Sequence, residues 1–153
     1  MSNSRFAVAV HILAGLTIVK ILNKEDSVPS ERIAWSVGTN PVVVRRILGQ
    51  LRKAGLVASS SGATGGSKIQ GDPREITLLD IYRAVENGQA SLFPRHTPNP
   101  SCPVGANVFA AVEPAFNRAR LALQQALAKV TIEEIAREIM ELYQREAATE
   151  AAA

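Results

Sequence analysis

The segment TNPVVVRRILGQLRKAGLV, residues 39–57, limits the fold of this chain more than any other. Asn40 can cap a helix with its side-chain carbonyl, and Pro41 then takes the first helical position, where a missing N–H costs nothing. Val44, Ile47, Leu48 and Leu51 recur at helical spacing, so they should bury one face. Val42, Arg46, Gly49 and Lys53 fall opposite, with Arg45 beside them, and Gly55 ends the helix. Upstream, Ser30 can cap a helix from Glu31 to about Val37, with Ile33 and Ala34 facing in and Gly38 supplying the turn. Two helices this close, the second turning arginines outward, suit a module that lays one helix in a groove of duplex DNA. A buried helical hairpin with solvated arginines would show the same periodicity.

Charge separates these readings. The chain carries a formal +3, yet residues 1–74 hold ten of its 17 Lys/Arg and four of its 14 Asp/Glu. Positive charge thus gathers on the half that holds the helix pair, as phosphate binding requires. A basic membrane-surface protein would need large exposed apolar residues on a basic helix, whereas the apolar positions here are those of a core. A hydrophobic share of 46% supports such a core and excludes wholesale disorder. The apolar run Phe6–Leu22 holds His11, Thr17 and Lys20, falls short of a span and lacks a cleavage site. It predicts a buried first helix, with no membrane segment and no targeting peptide. The single cysteine, Cys102, excludes an intrachain disulfide framework and points to a reducing cytoplasm.

The spacing predicts a first helix from about Ser4 to Leu22, the polar turn NKEDS, the helix pair, and strands Val57–Ser60 and Ser67–Gln70 around SGATGG. Asp72 and Pro73 close that hairpin. In ITLLDIYRAVENG, Thr77 and Asp80 form a capping box, and Asn87-Gly88 end the helix. A helical region from Val104 to Lys129 is expected to break at Pro114; its second part aligns Phe116, Ala119, Leu123, Ala126, Leu127 and Val130. A last helix opens with the box Thr131 and Glu134 and is expected to bury Ile132, Ile135, Ala136, Ile139 and Leu142, while the tail AATEAAA frays. The fold class is therefore mainly α: a winged helix-turn-helix with a small two-stranded wing over residues 1–88, a regulatory loop over 89–103, and a helical dimerisation region over 104–153. The stripe on the long helix needs a partner. A second copy is the economical one, since a two-fold dimer presents two recognition helices to grooves roughly 34 Å apart.

SGATGGSK invites two nucleotide readings, and both fail. A P-loop needs glycine directly before its Lys-Ser/Thr pair, but Ser67 precedes Lys68 and no Ser or Thr follows. A dinucleotide fingerprint would use Gly62 and Gly65 but meets Lys68 where its third glycine belongs. A hairpin wing explains the glycines through positive φ and close phosphate approach. Catalysis finds no constellation: His11 reads as a satisfied core histidine, and His96 lies near Cys102 without a third group. Glu133-Glu134 complement a helix dipole. No catalytic residue and no metal site are assigned. Cys102, before Pro103, is placed as the N-cap of the following helix, whose positive end would stabilise a thiolate; an inert thiol closing a turn fits equally.

Taken together, RFAVAVHILAGL, RIAWSV, the recognition segment, KAGLVASSSGATGGSKI, DPREITLLDIYRAVENG and PNPSCPVGANV resemble the Rrf-two (Rrf2) family of bacterial winged-helix regulators. The likeness covers residues 5 to about 108, with the C-terminal helices alike in layout. The family includes iron–sulfur-sensing, nitric-oxide-sensing and cysteine-metabolism repressors. Members commonly carry Arg-Gly before the wing turn and Gly-Gly-Tyr after it; here Ser61-Gly62 and Gly65-Gly66-Ser67 stand there, so a minor-groove arginine at that place is lacking. Cluster-binding members carry three cysteines in the loop where this chain keeps Cys102 alone. The resemblance is thus to the branch without a full cysteine set, and it implies no cofactor and no iron–sulfur cluster.

The expectation is a cytoplasmic, homodimeric transcription regulator, a repressor by resemblance. It would bind a pseudo-palindromic operator in double-stranded DNA and answer a thiol or redox signal at Cys102. Asn40, Val42, Val43, Arg45 and Arg46 are assigned to the groove, and Lys53, Thr64 and Lys68 to backbone phosphate. The rival is a winged-helix module that binds a protein such as a metabolic enzyme, with DNA binding secondary or absent. A thiol enzyme using Cys102 alone is a third reading.

Overall fold

Ala9, Ile12, Leu13, Leu16 and Thr17 recur at helical spacing and are all buried, which makes α1 (Arg5–Ile21) the central element of the fold. The computed structural model describes residues 5–22, 27–62, 65–86 and 97–152. Ser4, most of the NKEDS turn, Thr64, the Asn87-Gly88 helix end and residues 89–96, His96 included, lie outside the described residues. Around α1 gather α2 (Ser30–Val37), α3 (Pro41–Lys53), the hairpin β1 (Val57–Ser60) and β2 (Gly66–Ile69), and α4 (Leu78–Glu86). Two long helices complete the chain, α5 (Pro103–Leu127) and α6 (Ile132–Ala152). Among the described residues no helix is long and apolar enough to cross a membrane.

His11 departs from expectation. It lies outside the core, on an exposed ladder with Ala7 and Gly15 at i, i+4 spacing, and its Nε2 is 2.9 Å from the Ser36 hydroxyl of α2. The buried positions of α1 lie on the other sides of the helix, so an apolar stretch of sequence did not bury its histidine. Within the core, Thr17 satisfies its hydroxyl by donating to the Leu13 carbonyl at 2.7 Å. Phe6 meets Tyr82 edge-on, with ring centroids 5.4 Å apart, which fixes α4 against the start of α1.

The hairpin is antiparallel, with Val57 opposite Ile69 and Ser60 opposite Gly66. Its second strand begins one residue earlier than expected. Val28 adds a bridge to Ser67, exchanging backbone bonds of 2.8 and 2.9 Å, and so attaches the segment before α2 to the wing. This contact explains Gly66 better than phosphate approach does: a Cβ there would lie 2.5 Å from the Val28 carbonyl group. Gly62, at φ 111°, takes the left-handed turn conformation that favours glycine.

The C-terminal helices depart from expectation in two ways. α5 passes through Pro114 without ending; proline removes one donor, and the long helix keeps its other bonds on both sides. α6 continues to Ala152 instead of fraying after Glu146, as alanine's helix propensity allows. Burial is shallower than expected. Ile132 and Ala136 are buried against α1 and Ile135 is half-buried, but Ile139 and Leu142 are exposed, and α5 has no buried residue. Backbone bonds from Leu78 to Val130 (2.9 Å) and from Ile132 to Ile76 (2.8 Å) clasp the α5–α6 turn to the start of α4. The expected capping boxes close at both places. The Asp80 carboxylate accepts from the Thr77 N–H at 2.9 Å, and the Glu134 carboxylate from the Thr131 N–H at 2.7 Å.

Candidate nucleic-acid interface

α3 starts where the sequence places it. Asn40 has extended backbone angles and its side-chain carbonyl accepts from the Val42 N–H at 2.8 Å, with Pro41 at the first helical position. Val44, Ile47, Leu48 and Leu51 are buried, which fixes the rotation of the helix about its axis. That rotation leaves Val42, Arg46 and Lys53 on the outer face, with Val43 and Arg45 beside them. The turn into α3 is made by Gly38 at φ 71°, and the exit by Gly55 at φ 74°. The α2 cap differs from expectation: Pro29 is the N-cap residue and Ser30 is the first helical residue. The Ser30 hydroxyl instead receives Arg45 Nε at 3.3 Å and donates to Glu31 at 3.2 Å.

Arg45 is not a free cation. Its Nη2 lies 2.5 Å from Glu31 Oε1, a pair exposed on both sides. The Glu31 carboxyl is held below its ordinary range, first by its own backbone N–H in the opening turn of α2 and then by Arg45. Arg52, in the last turn of α3, donates to the Ser59 hydroxyl at 2.5 Å and so ties the helix to the wing. Arg45, Arg52, Ser30, Ser59 and Ser60 border a polar cleft of about 350 Å³ between α2, α3 and the hairpin. Lys68 stands exposed on β2, opposite Ala58.

The structure therefore brings Val42, Val43, Arg45, Arg46 and Lys53 together on one helix with Asn40 at its cap, and places Lys68 on β2, the partner of the strand that packs on α3; Thr64 lies outside the described residues. Sequence reasoning passed over two residues. Arg52 was overlooked because its role is a cross-element bond that spacing cannot show. Trp35, the chain's one tryptophan, is 84% exposed on α2. It lies one helical turn beyond Glu31 and off the Ile33–Ala34 face, which is the signal that could have found it.

Cys102 lies on none of these elements. It is exposed at the N-cap position of α5, with Pro103 following. The preceding turn folds back so closely that a Cβ on Gly105 would lie 2.2 Å from the Asn99 carbonyl oxygen. No side-chain capping bond forms. The backbone N–H groups of Gly105 and then Val104 nonetheless hold the thiol pKa below its ordinary value.

A capped recognition helix, a tight glycine turn and a two-stranded wing define a winged helix-turn-helix protein of the DNA-binding class. The chain belongs to the Rrf2 family, described as an iron-dependent transcriptional regulator, which it matches over residues 2–138. It is 41% identical over 136 residues to YwnA of Bacillus subtilis (strain 168), which is named for HTH-type transcriptional regulation; the match covers 88% of this chain and 96% of YwnA. A crystal structure described as that of a DNA-binding protein superposes with TM-score 0.64 at 35% identity, over 86% of this chain and 98% of that one. CymR, the global cysteine regulator of B. subtilis, shares the fold at TM-score 0.66 and 24% identity, over 90% and 97% of the two chains. The protein is a DNA-binding transcription regulator of this family. Its donor set does not fit an iron–sulfur cluster: the chain has one cysteine, and no three His, Cys, Asp or Glu groups converge among the described residues.

Proposed function

We propose that the chain acts as a cytoplasmic homodimeric repressor that inserts α3 into the major groove of each half of a pseudo-palindromic operator. The observation that carries this reading is the outer face of α3. The core fixes that helix's rotation, and what remains outside is Val42, Arg46 and Lys53, while Lys68 is exposed on the second strand of the wing. Arg46 reads guanine with its forked guanidinium. Arg45 lies at the groove edge, balanced by Glu31. Lys53, Lys68 and Thr64 hold phosphate.

The apolar residues that α5 and α6 leave exposed, Leu121, Leu123, Ile139 and Leu142, support a second copy as their cover. Residues 1–88 then grip DNA, residues 104–153 hold the dimer, and residues 89–103 link them. Oxidation of Cys102 is the proposed signal, because its thiol is exposed and acidified at the head of the dimer helix.

Selection of bound fragments from random duplex tests the function, followed by a salt titration on the winning sequence. The reading expects a two-fold symmetric site and an affinity that falls steeply with salt. Weak, sequence-blind binding at low salt would overturn it.

A further inference from the structure

α3 exposes two large apolar side chains that the fold does not use. Val42 is 66% exposed and Val43 42%, while the adjacent Val44 is fully buried and supplies the core contact at this level. Branched residues in the first turn of a helix are no aid to its formation, and Asn40 and Pro41 already start it. The same residues form the end of the recognition helix that enters the groove. The thymine methyl is the apolar group that bases display in the major groove.

The other route to an A·T pair uses a side-chain amide, and the one at the groove-entering end of α3 already caps the helix. Bidentate recognition of adenine needs both the carbonyl and the amide of an Asn or Gln side chain. The Asn40 carbonyl is committed to the Val42 N–H at 2.8 Å. Reading the thymine side by its methyl group needs only aliphatic surface, which Val42 and Val43 provide.

Resting on the DNA-reading function above, we propose that Val42 and Val43 determine specificity for thymine by seating its C5-methyl group in the major groove. Val42 and Arg46 are four residues apart on the same face, about 6 Å along the axis. Base pairs are stacked about 3.4 Å apart. The thymine therefore lies one or two base pairs from the guanine read by Arg46.

The test uses the full chain and its selected operator, with each thymine replaced in turn by deoxyuridine, which lacks only the methyl group. One replacement per half-site, next to the guanine that Arg46→Ala ceases to distinguish, removes two methyl groups from the operator and should weaken native binding about fifteenfold, about fourfold for each buried methyl. Val42→Ala or Val43→Ala should bind the two duplexes equally. Both valines are exposed, so these variants keep the fold. Native binding that ignores uracil at every position overturns this inference and leaves DNA reading standing. So does a uracil penalty that survives unchanged in both alanine variants. A native chain that binds no duplex overturns both.

Discussion

Arg45 of α3 and Glu31 of α2 form an ion pair of 2.5 Å across the helix-turn-helix, so one of the two adjacent arginines is neutralised before any DNA arrives. The pair sets Arg45 and Arg46 apart although they are neighbours in sequence. Glu31→Gln should free Arg45 for phosphate. Duplex affinity should rise severalfold at low salt, and the slope of log affinity against log salt should steepen by about one unit. A titration at four or five salt concentrations measures both, and an unchanged slope would show that Arg45 stays off the DNA.

Arg46 and Lys68 should fail differently. Arg46→Ala removes a fork from a base edge, so discrimination at one position should fall by about 1–3 kcal/mol. Lys68→Ala should weaken every duplex alike and make the salt slope about one unit shallower. Competition binding with single-base operator variants separates the two patterns.

Leu123 is 43% exposed in the single chain. Leu123→Glu should therefore leave the fold intact and place a charge on the surface proposed to meet a second copy. Sedimentation should give a monomer with native helix content, and operator affinity should drop more than tenfold as the second half-site is lost. A native chain that remains a stable monomer at micromolar concentration would reject the dimer.

The lowered Cys102 pKa makes a prediction about rate. Alkylation by iodoacetamide follows the thiolate, so its pH midpoint should lie below that of an ordinary cysteine. Peroxide takes two electrons from that thiolate, leaving sulfenic acid and releasing hydroxide. Operator affinity of the native protein should change after such treatment, and that of Cys102→Ser should not. Unaltered affinity in a demonstrably oxidised native chain would reject the switch.

Asp72 gives an acid signature. Its carboxylate accepts from Arg74 side-chain and backbone N–H groups, with Lys20 nearby, which lowers its pKa to about 2. A carboxyl depressed on folding stabilises the native state above its unfolded pKa, and this contribution fades as pH falls toward 2. Comparison of melting curves from pH 6 to pH 2 should show a smaller acid-dependent drop in Asp72→Asn. Parallel curves would remove Asp72 from the account.

What could be read from the sequence was local chemistry. Asn40-Pro41, Thr77 with Asp80 and Thr131 with Glu134 close their caps within three residues, so spacing alone reveals them. The buried side of α3 was legible for the same reason, through the 3.6-residue period. Ser30 misled because Pro29, at φ −62° and ψ 147°, already holds the cap conformation. His11, Gly66 and Arg52 depend on Ser36, Val28 and Ser59, partners brought near by the fold and invisible to any window. Pro114 and the alanine tail were misjudged because a local breaker rule was weighed without the long helices that carry them. Val42 and Arg46 were placed on one face from sequence, but the ion pair that distinguishes Arg45 needed coordinates.

The clasp between the α5–α6 turn and α4 has a mechanical consequence. A helix of 25 residues is a rod about 37 Å long. Its C-terminal end is tied through Val130 and Ile132 to the body that carries α3, and Cys102 is at its far end. Pivoting such a rod by about 5° at the clasp sweeps the cysteine end through about 3 Å, close to the spacing of one base pair. Run in reverse, a displacement of a few ångströms at the thiol becomes a small, stiff rotation at the DNA-reading body. The longest helix among the described residues therefore has the geometry of a lever arm, with Cys102 where travel is greatest and the tie to α4 where torque is greatest.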